Sequence, residues 1–321
     1  MTDILEEMQQ AIALHLCGRS DDALQISSQL LPQARGTKHG AMVYRRVAEF
    51  LHAVGNYDRA RQMTEEASSL ARASRNPSEI MAAALVNLAC DMYEGKIATT
   101  HKQLNDLISR AGNHPMPRVF MARLMLLVGN FDDAIEELEK TRALLTQRNM
   151  EIQLAYVLLT IGKAHYLAKE LQDARAILER VIELEVPTLV PGTLAQALLG
   201  LVLAQTGQER EGCELVGRAI DLGRKISNDI YGHTLALGGL TQWQLGDLEI
   251  ATEQLRSASG LLTHSLERQE IYYSLGKIAE DLGKLSEAEE VLKRAAEPTI
   301  DSYFGRRSIK ALRDLVGLRV V

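Results

Sequence analysis

Two histidines, His15 and His52, are the first residues in this chain whose spacing suggests chemistry, because they recur at one phase 37 residues apart. Imidazoles facing each other from neighbouring helices could begin a metal site. No third ligand accompanies them, and adjacent helices lie about 8–10 Å apart. Two groove-lining or solvated histidines are the better reading, and neither metal nor cofactor is expected. Nothing else has a catalytic pattern. The sequence contains no phosphate-binding glycine loop, no GxSxG or HExxH and no dinucleotide fingerprint. It offers no acid–base pair or activated nucleophile, so no enzyme is expected. Cys17, Cys90 and Cys213 have no CxxC spacing and read as buried small hydrophobes in a reducing compartment.

Composition narrows the partners. A net charge of −6 argues against a general nucleic-acid binder, whose phosphate contacts need clustered Lys and Arg. The start, MTDILEEMQQ, is acidic where a secretory signal is basic, and no apolar run is long enough to enter a membrane. The expected location is cytoplasmic. Residues 1–34 hold five acidic and one basic residue, whereas 35–75 hold eight basic and four acidic. Such runs are more often solvated outer faces than steering patches.

The elements that must position any site are set by a repeat. A small residue returns at Ala23, Ala60, Thr100, Ala134, Ala174, Gly212, Ala251 and Ala288, with a mean step of about 38 residues. Twelve residues upstream of most of these stands another, at Ala11, Ala48, Ala122, Gly162, Gly200, Gly239 and Gly276. In the third unit Ala89 is eleven upstream of Thr100, which suggests a turn one residue shorter. A third small column follows in four units at Ala67, Ala219, Ala258 and Ala295. Around the markers runs one phrase, as in Ala53-Val-Gly-Asn-Tyr-Asp-Arg-Ala60 and Leu127-Val-Gly-Asn-Phe-Asp-Asp-Ala134. It encodes a helix end, a glycine able to take the left-handed conformation, and a second helix that Asn56, Asn130 or Asp247 can cap. All seven prolines should then avoid helix interiors.

This pattern resembles the tetratricopeptide repeat (TPR), with small residues at the family's positions and a Gly-Asn/Asp-aromatic turn. The period exceeds the family's 34 residues, so helices or inter-unit turns are lengthened. The longer period and the phrase Ala67-Ser-Ser-Leu-Ala-Arg-Ala-Ser-Arg-Asn-Pro-Ser-Glu79 are also similar to sensor regions of maltose-regulator-type signalling ATPases. The resemblance implies an all-α, right-handed superhelical solenoid of about eight helix-turn-helix repeats over residues 1–321. The repeats are expected near 3–31, 39–74, 78–111, 117–148, 151–185, 191–226, 229–264 and 267–296. An amphipathic capping helix is expected over 301–316, with Tyr303, Phe304, Ile309, Leu312 and Leu315 inward and Arg306, Arg307, Lys310 and Arg313 outward.

In this family the first helices line a concave groove. Carried onto this sequence, the groove would hold Arg45, Glu49, His52, Tyr93, Arg123, Lys163, Tyr166, Leu201, Leu240, Trp243, Tyr273 and Lys277. Aromatics among a few fixed charges suit a partner's peptide or amphipathic helix. The resemblance therefore implies a non-enzymatic scaffold or adaptor with a protein or peptide partner, as monomer or homodimer, without nucleic acid or membrane insertion. The alternative is a sensor module of a signalling or transcription regulator that binds a small effector or regulatory peptide. The Lys/Asn set by which chaperone-binding members hold a C-terminal carboxylate is not assembled here.

Overall fold

The computed structural model describes residues 4–184, 186–297 and 301–318. Among these residues there are seventeen α-helices and no strand. None of the helices is long and apolar enough to cross a membrane.

Packing divides the chain into two compact units, Met1–Phe120 and Met121–Val321. The first holds α1 (Ile4–Leu16), α2 (Ser20–Ala34), α3 (Gly40–Ala53), α4 (Tyr57–Ala73), α5 (Pro77–Tyr93) and α6 (Ile97–Ala111). The boundary falls inside α7 (Pro115–Leu127). The second unit continues with α8 (Phe131–Gln147), α9 (Glu151–Ala168), α10 (Leu171–Glu183), α11 (Val190–Gln205) and α12 (Glu209–Ile226). It ends with α13 (Asn228–Gln244), α14 (Leu248–Leu261), α15 (Ser265–Asp281), α16 (Leu285–Ala296) and α17 (Tyr303–Leu318). Apart from α7, the first helices pack on their own second helices and on one another in sequence within each unit. The inner rows run α1–α3–α5 in one unit and α9–α11–α13–α15–α17 in the other.

The small-residue columns explain the stacking. All eight markers are buried, as are Ala11, Ala48, Ala122, Gly162, Gly200, Gly239 and Gly276 on the facing helices. The third pair departs from the sequence expectation. Its turn is not shortened, because Gly95 precedes Thr100 by five residues just as Gly55 precedes Ala60. Counting back seven residues from that glycine, as elsewhere, lands on Leu88, so a buried leucine and not Ala89 holds the small position. A cavity of about 490 Å³ lies beside it, lined by Leu88 together with Arg61, Asn87, Asp91, Asp106 and Arg110 of α4, α5 and α6. Leu88 thus puts a branched side chain where the neighbouring pairs carry Ala or Gly.

Each first helix that ends in the repeated phrase does so on a residue with positive φ. Seven are glycines, at 70–85°. In the fifth pair the position is Lys169, at φ 69°. A Cβ in the left-handed region costs about 1–2 kcal/mol, against which the Lys169 ammonium lies 5.3 Å from the Tyr166 ring centroid. Lys169→Gly is therefore expected to raise the unfolding free energy of the second unit by about 1 kcal/mol, measured by urea denaturation; an unchanged or lowered midpoint would contradict the strain.

Caps and prolines refine the boundaries. Asn56 and Asp247 accept from the backbone N–H three residues on, but Asn130 makes no such bond. Asn76 and Ser227 cap α5 and α13. Pro77, Pro115 and Pro191 open helices, and Pro117 sits in a first turn, where N–H groups have no intrahelical partner. Pro187 lies in the α10–α11 link. Pro32 breaks the expectation, because α2 runs through it to Ala34, which is fully buried and gives the last turn a packing reason to persist. Pro298 falls outside the described residues. The cysteines also divide: Cys17 is exposed, Cys213 half-buried, and Cys90 buried with its thiol pKa pushed up to about 11 by desolvation.

Candidate protein-binding face

The face lined by first helices in the second unit is where separated parts of the chain meet. Helix α17 does cover the last pair, as expected of a cap, with Ala311 and Leu315 packed among Tyr273, Ala279, Ala288, Leu292 and Ala295. Its first turns go further. The Arg306 guanidinium donates to the Val128 carbonyl at 2.6 Å, and the Tyr303 ring stands edge-on to Phe131 at 5.1 Å. Arg307 lies 4.6 Å from the Tyr273 ring centroid and 5.4 Å from that of Tyr303. Arg306 and Arg307 are exposed, as expected, and a carbonyl and aromatic rings engage them as well. One expectation is corrected. Ile309, expected inward, is 43% exposed.

Helix α15 approaches the same place. Lys163 Nζ on α9 is 3.6 Å from Glu270 Oε2 on α15. Tyr166 is buried beside them, and desolvation, with the negative charge of Glu270, drives its hydroxyl pKa well above the usual range. A hydrogen bond from Gln205 and the positive Arg307 oppose that rise only in part. The Arg123 charge on α7 reaches His264, the residue preceding α15, and adds to the larger effect of burial in lowering that imidazole's pKa. Lys163, Tyr166 and Tyr273 therefore share one neighbourhood with Glu270, Tyr303 and Arg307, which are absent from the sequence-derived groove row, while Arg123 bears on His264 beside it. For Tyr303 and Arg307 the available signal was the Tyr-Phe-x-Arg-Arg opening of α17. Tyr273, Lys277 and Glu280 on α15 face Arg307, Lys310 and Asp314 on α17 across a cleft of about 220 Å³.

Other selected residues serve packing. Leu201 is fully buried in the core and does not reach a surface. Leu240 and Trp243 pack half-buried against the cluster of Leu235, Leu255 and Leu275. Trp243 Nε1 donates to Asp281 Oδ2 at 3.0 Å, tying α13 to α15. Lys277 pairs with Glu280 one turn on. In the first unit Arg45 is 7% exposed and held by Glu49 and Glu79, so it is an internal ion-pair centre and not a free groove cation. His52, Tyr57 and Tyr93 form an aromatic cluster, with ring centroids 5.2 Å apart for His52–Tyr93 and 5.6 Å for His52–Tyr57. His15 bonds Ser20 and stacks at 4.9 Å on Phe50, so the two histidines of equal phase have different partners.

Residues 269–297, in α15 and α16, match the tetratricopeptide repeat family model. No curated protein matches the chain. Among solved structures, the chain is similar to the APC/C hetero-tetramer Cut9–Hcn1, at 16% identity and TM-score 0.63, over 94% of this chain and 54% of that one. It thus spans about half the length of that protein. It is similar to a Rap protein complexed with Competence and Sporulation Factor, at 13% identity and TM-score 0.59, over 88% and 87% of the two chains. A tetratricopeptide repeat protein from Parabacteroides merdae ATCC 43184 aligns at 13% identity and TM-score 0.55, over 86% of this chain and 98% of that one. At these identities the likeness is one of fold: a TPR-type α-solenoid.

Proposed function

We propose that this TPR-type solenoid is a non-enzymatic scaffold that holds a helical or peptide segment of a partner protein on the face of its first helices. The observation that carries the reading is α17 itself. An amphipathic helix opening with Tyr303, Phe304, Arg306 and Arg307 already rests on that face in the second unit, using Phe131, Tyr273 and the Val128 carbonyl. A face that accepts one such helix has the chemistry for another. Aromatic anchors provide most of the contact energy, and arginines fix register. Two of the similar structures, Cut9–Hcn1 and the Rap protein with its factor, are complexes.

The test is crosslinking capture from the cells that make the protein, comparing wild type with Arg123→Glu/Lys163→Glu. Capture is expected to fall at least tenfold, roughly the 1.4 kcal/mol of one lost anchor, while circular dichroism and melting stay unchanged. Equal capture by both proteins would remove the face from the account. A second reading, a sensor for a regulatory ligand, is favoured by the near-complete mutual coverage with the factor-bound Rap protein. It predicts stabilisation of the isolated protein by its ligand, about 2.7 kcal/mol at a hundredfold excess over Kd.

A further inference from the structure

We propose that Asp229, His233 and Glu267 form a binding site for a divalent transition-metal ion of the zinc class, joining α13 to α15. Asp229 and His233 are four residues apart on α13, and Glu267 stands in the first turn of α15. The stack therefore brings three ligand types from two consecutive inner helices to one point. His233 Nε2 is 3.7 Å from Asp229 Oδ2 and 3.7 Å from Glu267 Oε2, and the three ligand atoms lie within 4.8 Å of one another.

Those separations are too long for hydrogen bonds. They are close to the edge of a coordination tetrahedron, about 3.3–3.6 Å for metal–ligand bonds of 2.0–2.2 Å. The two His233 edges need contract by only a few tenths of an ångström, while the Asp229–Glu267 edge, within 4.8 Å, would close by side-chain rotation. A second observation concerns the burial of Glu267. Glu267 Oε2 has lost its contact with water, yet it has no hydrogen-bond partner. A buried oxygen left in that state is unfavourable, and a cation is what a carboxylate would take there. As metal ligands, two ionised carboxylates and a neutral imidazole would carry two negative charges, which a divalent ion balances; without that ion, burial and the neighbouring Glu267 raise the Asp229 pKa. His233 and Asp229 keep 31% and 44% side-chain exposure, which leaves an entry path and a coordination position for water or a partner's group. His264 and Arg123 also lie in this neighbourhood.

A second group, His165, Glu170 and Asp173, is the natural control. There His165 Nδ1 already makes a 2.6 Å hydrogen bond with Glu170, at the exposed end of α9.

The chain of residues 1–321, stripped of metal, is titrated with Zn²⁺ by calorimetry and with Co²⁺ by visible absorption. One equivalent is expected to bind, with the ligand-field band of a low-coordinate Co²⁺ site. His233→Ala and Glu267→Gln should each weaken binding by at least about tenfold, while His165→Ala leaves it unchanged. Glu267→Gln preserves volume and removes the charge of a carboxylate whose buried Oε2 accepts no hydrogen bond. Its apoprotein should therefore melt at or above the wild-type temperature, which separates a lost ligand from a lost fold. Failure of wild type to bind either ion overturns the proposal. So does binding that survives both substitutions.

Discussion

Arg45→Ala is expected to cost about 3 kcal/mol in the first unit, the low end of the range for breaking a buried ion pair. The Arg45 side chain is 8% exposed, and its Nε lies 2.5 Å from Glu79 Oε2 while Nη1 lies 2.5 Å from Glu49 Oε1. Nη2 reaches Glu79 Oε1 at 3.2 Å, so one guanidinium clamps α3 to α5 with two contacts on a single carboxylate. Removing it strands carboxylates already mostly withdrawn from water, at 25% exposure for Glu49 and 17% for Glu79. Residual solvent and the 2.7 Å contact of Arg46 with Glu49 keep the cost from the top of the range. Arg45→Met/Glu79→Gln, which removes the charge from both ends of that pair, should cost markedly less than Arg45→Ala.

The pH dependence has a definite sign. Burial, the largest influence on Glu49, raises its pKa, but Arg45 and Arg46 outweigh it and hold the folded value below 4.5. A carboxylate depressed in the folded state contributes stability above its unfolded pKa and loses it as pH falls through the folded one. The wild-type advantage over Arg45→Ala should thus be full near neutrality and shrink below about pH 4.5. Hydrogen exchange of the α3 and α5 amides in the two proteins, at neutral and acid pH, measures it. An advantage that persists undiminished in acid would show that Glu49 takes no part.

Gly212→Ala carries the second large effect. A Cβ built at Gly212 would stand 2.5 Å from the Gly200 carbonyl oxygen and 3.0 Å from the Ala204 backbone nitrogen. A Cβ at Gly200 would meet the Gly212 carbonyl oxygen at 2.6 Å. These obstacles are backbone, so no rotamer change relieves them, and α11 and α12 must separate. The expected loss is about 1–3 kcal/mol, even though Ala improves helix propensity by about 1 kcal/mol. Gly217→Ala, on an exposed position of α12 with nothing within 4 Å of the added carbon, should instead gain up to about 1 kcal/mol. Urea denaturation of both variants reads opposite signs from one chemical change. Destabilisation of both would argue that helix propensity and close packing are not separable here.

The parts of this protein legible in sequence are those fixed locally. Small residues at Ala23, Ala60 and Ala134, and the turn glycines between helices, recur because each pair solves the same short-range problem. Two helices must approach closely, and the chain must reverse through a left-handed residue. That physics acts within about 40 residues and leaves its mark in composition at fixed spacing. The small columns proved buried, and the helical expectation held throughout the described residues.

What failed to show in sequence depends on a single helical position or on distant packing. Arg45 and Leu201 were placed on the groove row, yet neighbouring positions on one helix divide between groove and interior, and tertiary packing turned both inward. Ala89 carries the small side chain, yet the turn geometry, seven residues before the left-handed Gly95, assigns the column to Leu88. The docking of Arg306 on Val128, 178 residues away, follows from the orientations summed over five helix pairs, and no local pattern records that sum. Asp229, His233 and Glu267 were equally invisible as a group, because the first two lie on α13 and the third begins α15. Which segments are helices and how each pair closes is written in the sequence, since neighbours along the chain make those choices. Which side chains meet across pairs depends on how the helix pairs stack, and so emerges in the folded molecule alone.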